Sequence, residues 1–495
     1  MFTAPRVPNP ARSSRPRLRT SPQVLFLSMV LLLPFSVALA TDVTTQHNDN
    51  QRTGQNLQET ILTQANVNST SFGLLFNAPV DGEIDAQPLY LSAVSISGVT
   101  HNVFYAVTEN DSIYAFDADS GAQLWKVSAL LTGETHGVVA GCNQPPMIGI
   151  TSTPVIDRTS GPDGTIYIIA TSMNSSGTFF QRLHALDLTT GAEEFGGPVA
   201  VNARFPGTGA GSSGGFVKFD PSQYAERAGL LLLNGVIYTA WTSHCDGGTY
   251  TGWVIGYSET SLAETAVLNV TPNGSQGAIW QSGNGLAADD AGNIFFLDAN
   301  GTFDTILNSK GFPSMGDYGN GAIRLSTTNG HLIVADYFNS YNTVGESNSD
   351  TDLGSGGILL LPTVKDSSGN TWKLAIGAGK DGNIYVFNRA NMGKFNPNND
   401  DAIYQELDSV LPGGMFGSPA LFGANVYFGP VGSNLRQFPI TDAKLASKPS
   451  SQSAIKFTYP GTTPSISANG DKNGIVWAIE HTIPSVLHAY DPANL

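Results

Sequence analysis

The sequence predicts an all-β chain folded as a β-propeller of four-stranded antiparallel blades, and three observations carry that expectation. The chain has 495 residues with 55 Gly, 28 Pro and only 13% charged residues. Its Val, Ile, Tyr, Phe and Thr runs suit short strands joined by tight turns. A phrase also recurs: "DSIYAFDADSGAQLW" from Asp111 returns as "QRLHALDLTTGAEEF" from Gln181 and, shortened, as "SVLHAYDPANL" at the end. Self-similarity at a fixed frame is the sequence signature of repeat architectures.

Seven copies of the frame are visible, beginning at Ala86, Thr151, Arg227, Asn284, Gly357, Gly417 and Thr463. Each holds a short apolar strand, often after Ser/Thr/Gln-Pro, then an aromatic and β-branched strand, then a third ending in an [YH]A[FLY]D-like phrase. The strands alternate apolar and polar residues or run wholly apolar, as sheets covered on both faces do. Asp-x-x-(Ser/Thr)-Gly after the third strand supplies a capping side chain and a Gly able to take positive φ, so a fourth strand follows. Radial repetition of such units is a known solution to the exposed-edge problem. Before the first copy, "FGLLFNAPV" reads as an outer strand with no inner strands of its own, and after "HAYDPANL" the frame stops where a turn and strand belong. The expectation is an eight-bladed ring with an incomplete C-terminus.

The first forty residues are of another kind. Arg6, Arg12, Arg15, Arg17 and Arg19 precede "VLFLSMVLLLPFSVALA", which closes on Ala38-Leu39-Ala40. A basic region, a short apolar stretch and a small-residue site read as a cleaved signal peptide over 1–40. The expected product is an exported chain, periplasmic or extracellular, with no membrane span after cleavage. Residues 41–495 are then one propeller domain, with 41–85 an N-terminal segment carrying the ring-closing strand.

Charge narrows the partners. The chain carries 24 basic and 40 acidic residues, a formal net charge of −16, which becomes −21 without the five N-terminal arginines. Such a field repels nucleic acid and anionic lipid and favours cations. Two cysteines, Cys142 and Cys245, leave a disulfide open in an oxidising compartment. The absence of Cys-x-x-Cys-His means no attached c-type haem. No nucleophile elbow, zinc-protease motif or phosphate loop is present either.

The phrase "SIYAFDADSGAQLW" resembles the repeat of pyrroloquinoline-quinone (PQQ) proteins, and from residue 41 onward the chain is similar to the quinoprotein alcohol dehydrogenase-like propeller superfamily. "NDNQRTGQNLQETILTQANVNSTSFGLLF" looks like the N-terminal strand of those proteins. "GAGKDGNIYVFNRANMGKF" resembles their segment in which a Lys or Arg contacts the quinone, which implies Lys380. "DANGTFD" resembles the loop whose Asn ligates Ca²⁺, which implies Asn300. "SDTDLGSGG" lies where the family places its general base, implying Asp350 or Asp352, with Asp352 also a metal-ligand candidate. In such chemistry Ca²⁺ polarises the quinone, a carboxylate takes the alcohol proton and a Lys steadies charge on the quinone oxygens.

Departures from the family pattern stand beside these matches. The vicinal Cys-Cys pair is replaced by the single Cys142 in "AGCNQPPMIGITSTP", and Glu226 is a poor positional match for the family's Glu ligand. The chain is also similar to exported bacterial proteins sharing "SHCD", "GWVIGY" and "IWQSGNGLAADDAGN". Residue by residue, Lys380-Asp381-Gly382 also reads as a polar turn, and Asn300 as an Asn-Gly turn or glycosylation sequon. Asp350 and Asp352 read equally as a solvated loop, a structural Ca²⁺ loop or a base. His244 beside Cys245 reads as structural, and Trp125, Trp280 and Trp477 as packing between blades. The expected function is therefore a binding or scaffold propeller whose top loops take a protein or polysaccharide. The alternative is a PQQ- and Ca²⁺-dependent dehydrogenase oxidising an alcohol or sugar.

Overall fold

The computed structural model describes residues 41–141 and 146–495. The signal-peptide reading of 1–40 and Cys142 lie outside the described residues. Among the described residues no helix is long and apolar enough to cross a membrane.

Seven antiparallel sheets form the blades, spanning 89–128, 155–200, 231–269, 287–338, 358–407, 420–452 and 465–490. Each begins a few residues into one of the seven copies of the repeat, so the chain is an all-β, seven-bladed β-propeller. The second strands carry the longest apolar runs, such as Thr165–Asn174, and pair register by register with the third strands. The Asp-x-x-(Ser/Thr)-Gly turn forms as read: Asp117 Oδ1 accepts from Ser120 N at 2.8 Å and Ser120 Oγ at 2.7 Å. Gly121 follows at φ +74°. A Cβ there would strike Phe76, and one on the equivalent Gly191 would press on Val127 and Trp125 of the preceding blade. The turn glycine is thus required by both conformation and interblade packing.

Apolar clusters fill the seams between successive blades. Val103, Tyr105 and Ile168 lie between the first two, Tyr167, Trp241 and Trp253 between the second and third, and Tyr238, Phe296 and Ile323 between the third and fourth. Further clusters join the fourth to the fifth, the fifth to the sixth and the sixth to the seventh. The first and seventh blades share no such cluster among the described residues. Residues 72–80 run there instead, with Phe72 against Trp477 of the seventh blade (5.4 Å between centroids) and Phe76 stacked on Phe104 of the first (6.4 Å). This stretch was expected to be a strand and is not one: among the described residues its backbone from 73 to 80 pairs with no other strand. Leu74 and Leu75 within it, and Ile479 and Leu487 of the seventh blade, are exposed. No eighth blade is formed among the described residues, which departs from the expected eight-bladed ring; 72–80 finds no strand to pair with.

The ring is tied at its axis by residues 43–56. Val43 exchanges both backbone bonds with Tyr90 of the first blade, and Thr44 O accepts Ile156 N of the second. Asn50 donates from Nδ2 to Leu232 O of the third and accepts Ala288 N of the fourth. Gln51 O accepts Leu360 N, Thr53 O accepts Leu421 N and Gly54 O accepts Ile466 N, so the fifth, sixth and seventh blades are held too. Gln55–Asn56 then pairs parallel with the inner strand Ser465–Asn469. One short segment therefore satisfies backbone groups on all seven inner strands, where a water-filled axis would leave them to solvent.

Candidate functional site

The lead-in loops to the inner strands and the turns after the second strands meet at one end of the axis. In each inner strand the segment 43–56 is bonded a few residues further along, so it lies beneath this end. The loops enclose a cavity of about 540 Å³ whose lining includes Asp85, Thr151, Arg227, Trp280, Phe416 and Tyr459, supplied by the loops leading into six of the blades. Glu83, Glu109, Cys245, Ser282 and His481 complete its polar lining. Cys245 is engaged in a disulfide. Trp280, read from sequence as interblade packing, is instead a wall of this cavity. Trp125 does pack at a seam, donating Nε1–H to Leu188 O at 3.1 Å, and Trp477 faces the open seam.

Beside Trp280 the four residues singled out by resemblance come together. Asn300 follows the second strand of the fourth blade (Asn293–Leu297), Lys380 follows that of the fifth (Leu374–Gly377), and Asp350 and Asp352 lie in the loop between those blades, after the helix Thr343–Asn348. Lys380 Nζ is 2.5 Å from Asp350 Oδ1 and 2.5 Å from Asp352 Oδ1. Asn300 donates from Nδ2 to Asp350 Oδ1 at 2.7 Å and to Asp246 Oδ2 at 3.2 Å. The Tyr250 hydroxyl donates to Asp246 Oδ1. Lys380 Nζ and the Arg227 guanidinium stand over the Trp280 ring at 5.8 and 5.0 Å.

The electrostatics separate the carboxyls. Burial pushes Asp352 up to about 6, tempered by Lys380. Burial would raise Asp350 as well, but its bonds from Lys380 and Asn300 outweigh that and hold it below its ordinary value. Burial first, then the charge of Asp352, drives Asp298 well above the usual carboxyl range. Burial disfavours the Lys380 ammonium, yet Asp352 and Asp350 more than compensate, so its pKa is raised. At neutral pH the exposed Asp350 is an ionised acceptor next to a fixed ammonium, while Asp352 is buried and anchored.

Two tests of fit follow from these contacts. Both oxygens of the fully buried Asp298 and Oδ1 of Asn300 accept no hydrogen bond, and with Asp246, Asp350 and Asp352 they form a set of hard oxygen donors of the kind Ca²⁺ takes. Among the described residues no group of three His, Cys, Asp or Glu side chains is disposed to hold a metal ion; the Asp350 and Asp352 carboxylates pair with Lys380. The donor chemistry fits a hard cation. A flat indole with two cations over it fits a planar polyanion such as PQQ.

Other sequence candidates fall outside the cluster. Glu226 is buried in the strand Tyr224–Glu226, neither oxygen bonded, and burial raises it well above its ordinary value. His244 has no hydrogen bond on either ring nitrogen and is lowered to about 4 by burial and then by Arg227, so it is neutral. Sequence reasoning missed Asp246, Asp298 and the acidic wall Glu83, Asp85 and Glu109. Their positional signal was the repeat itself: Asp246, Asp298 and Glu109 follow second strands, as Lys380 does, and Asp85 precedes an inner strand, as Trp280 does.

No family model matches the chain, and no curated protein matches it significantly. Among solved structures, quinohemoprotein alcohol dehydrogenase ADHIIG from Pseudomonas putida HK5 aligns with a TM-score of 0.59 at 12% identity, over 92% of this chain and 71% of that one. Quinohemoprotein alcohol dehydrogenase from Comamonas testosteroni gives 0.59 at 14% identity, over 93% and 73%. BamB from Moraxella catarrhalis aligns more loosely, at 0.41 and 13% identity over 89% and 96%. The chain thus shares the β-propeller fold of the quinoprotein alcohol dehydrogenases, and at these identities the likeness speaks for the fold alone.

Proposed function

We propose that this chain is an exported PQQ- and Ca²⁺-dependent oxidoreductase acting on an alcohol at the axial cavity. The observation that carries the reading is the convergence of Lys380, Asn300, Asp350 and Asp352 beside Trp280. Residues brought from separate loops into hydrogen-bonding distance are what a preorganised site requires. When bound, the quinone supplies the two-electron acceptor and Ca²⁺ polarises it.

The chain's own residues do the rest. Asn300, Asp352 and Asp298 would hold the cation, and Lys380 and Arg227 would bind the anionic cofactor beside Trp280. Asp350 Oδ1, ionised and exposed, accepts the hydroxyl proton of the substrate, and Lys380 keeps that carboxylate oriented. The sequence has no Cys-x-x-Cys-His, so electrons pass to a separate acceptor. We also read 72–80 as standing where one strand of an eighth blade would run, a reading supported by its course across the open seam from Trp477 to Phe104; its unpaired backbone predicts that the amides of 73–80 exchange with solvent far faster than those of the seven blades.

Calorimetric titration of PQQ with and without Ca²⁺ tests the function. Binding should require Ca²⁺ and weaken by at least about tenfold in Lys380→Ala, the scale set by loss of a charge-assisted bond. Asp350→Asn should keep the cofactor and lose alcohol oxidation by about two to four orders of magnitude, the usual worth of a general base. Absence of PQQ binding would retire the enzyme. It would leave the second reading, a binding propeller for a protein or polysaccharide, which the exposed Leu74, Leu75, Ile479 and Leu487 at the open seam favour.

A further inference from the structure

The axial cavity carries more negative charge than binding an alcohol requires. Glu83, Asp85 and Glu109 line it together with the rings of Trp280, Phe416 and Tyr459. Those rings meet edge to face, Trp280 to Phe416 at 6.2 Å and Phe416 to Tyr459 at 5.5 Å, and make one continuous aromatic wall. Glu109 is 3% exposed, and its Oε2 accepts Gly149 N–H at 2.6 Å, which fixes it in place. Against the three carboxyls the cavity sets one permanent cation, Arg227, which already lies over Trp280. A neutral alcohol gains nothing from this excess. An ammonium group uses both kinds of wall, the carboxylates by charge and the ring faces by their quadrupoles.

We propose that the substrate alcohol carries a positive charge, as an amino or quaternary-ammonium alcohol, held by Glu83, Asp85 and Glu109 against Phe416 and Tyr459. The inference rests on the axial cavity being the substrate site. A proton is coupled to the binding. Burial, and next the neighbouring Asp85, push the Glu109 carboxyl up to about 8, so near neutral pH it is mostly protonated. The charged and titratable groups around it are Glu83, Asp85, Arg227, His481 and Tyr459 on the cavity side and the buried Asp111 behind it. An arriving cation favours the ionised form of Glu109, so binding releases a proton and tightens as pH rises toward 8.

Choline and its uncharged isostere 3,3-dimethylbutan-1-ol, titrated calorimetrically into the full chain without quinone, test the inference. At pH 7 in two buffers of different ionisation heat, choline should bind at least about tenfold more tightly, the factor expected of one added ion contact, and release protons. The Asp85→Asn/Glu109→Gln variant should bring the two ligands within about twofold of each other while retaining cooperative unfolding. If that variant does not fold, Glu83→Gln, an exposed position, should reduce the preference instead. Equal or tighter binding of the neutral isostere overturns the inference, as do choline binding indifferent to these substitutions and tighter binding of glucose than of choline. A failed PQQ titration alongside a preserved choline preference sinks the redox reading alone; PQQ binding without the preference sinks this inference alone.

Discussion

Replacing Arg52 by methionine is expected to remove a large part of the stability of the propeller, although Arg52 does not line the axial cavity. Its side chain is wholly buried. Nε donates to Leu286 O at 2.9 Å, Nη1 to Gln46 O at 2.6 Å and Thr45 Oγ1 at 2.7 Å, and Nη2 to Leu230 O at 3.3 Å. Burial lowers its pKa to about 10 against the opposing pull of Asp49, so it stays charged at neutral pH. One guanidinium thus links the 43–56 segment to the third and fourth blades. Methionine of similar length fills the space and leaves the carbonyls without a donor, at about 1 to 3 kcal/mol for each group left unsatisfied. A total of about 3 to 5 kcal/mol is the scale for breaking such a buried charged network. That is a large part of the roughly 5 to 15 kcal/mol by which a domain is stable. Arg52→Lys should fall between the two, because an ammonium lacks the planar fork. Thermal unfolding followed by circular dichroism reads both variants, and a methionine variant melting within a few degrees of the parent would refute the tying role of 43–56.

That segment also marks where the sequence stopped being legible. The seven blades could be read because their strands repeat and their turns share an Asp-x-x-(Ser/Thr)-Gly chemistry that acts locally. "QHNDNQRTGQN" has no period and no apolar stripe. Together with Val43 and Thr44 it offers carbonyls, the Asn50 side-chain amide and one guanidinium to seven inner strands drawn from the whole length of the chain, and no local signal encodes such partners. The misreading of 72–80 has the opposite cause. "FGLLFNAPV" has strand propensity and even alternates, with Phe76, Ala78 and Val80 turned in, but propensity without a pairing partner makes an extended segment and not a strand.

The candidate site shows the same division. Lys380, Asn300, Asp350 and Asp352 were selected by resemblance; alone, Lys380 and Asn300 also read as turn residues and Asp350 and Asp352 as a solvated or structural Ca²⁺ loop, and their convergence depends on how the fourth and fifth blades stand around the axis. Glu83, Asp85 and Glu109 looked like scattered acidic loop residues. Burial of Glu109 and its seat on the Gly149 amide, both tertiary facts, turn them into a wall.

Raising the pH from about 4.5 to 8 is expected to lower the melting temperature, against the usual preference for near-neutral conditions. Burial lifts Asp111 and Glu226 well above their ordinary values, and Glu109, lifted by burial and then Asp85, reaches about 8. A carboxyl with a raised folded pKa binds more protons when folded than when unfolded. Stability therefore falls as pH climbs from the ordinary value toward the folded one, a window running from 4.5 to about 8 for Glu109. Acidic residues of the other kind set the lower limit. Bonds from Ser120 and then His101 bring Asp117 down to about 2. Asp81 is lowered because Lys126, Ser112 and Asn110 outweigh its burial. Their contribution is present above the ordinary carboxyl range and is lost as pH falls through the lowered values; the buried His244, lowered to about 4, and His47 act in the same direction as pH falls below their ordinary value, and the more numerous raised carboxyls keep the optimum in the lower part of the 4.5 to 8 window. Scanning calorimetry across pH 4.5 to 8.5 checks the slope, and a melting temperature that stays flat or rises would contradict it. Glu226→Gln separates the cause from any effect of ligand binding, since Glu226 does not line the cavity. The amide cannot ionise in either state, so the variant should match the parent near pH 4.5 and exceed it at pH 8; equal stability at both ends would mean that the buried carboxyl finds compensation within the fold.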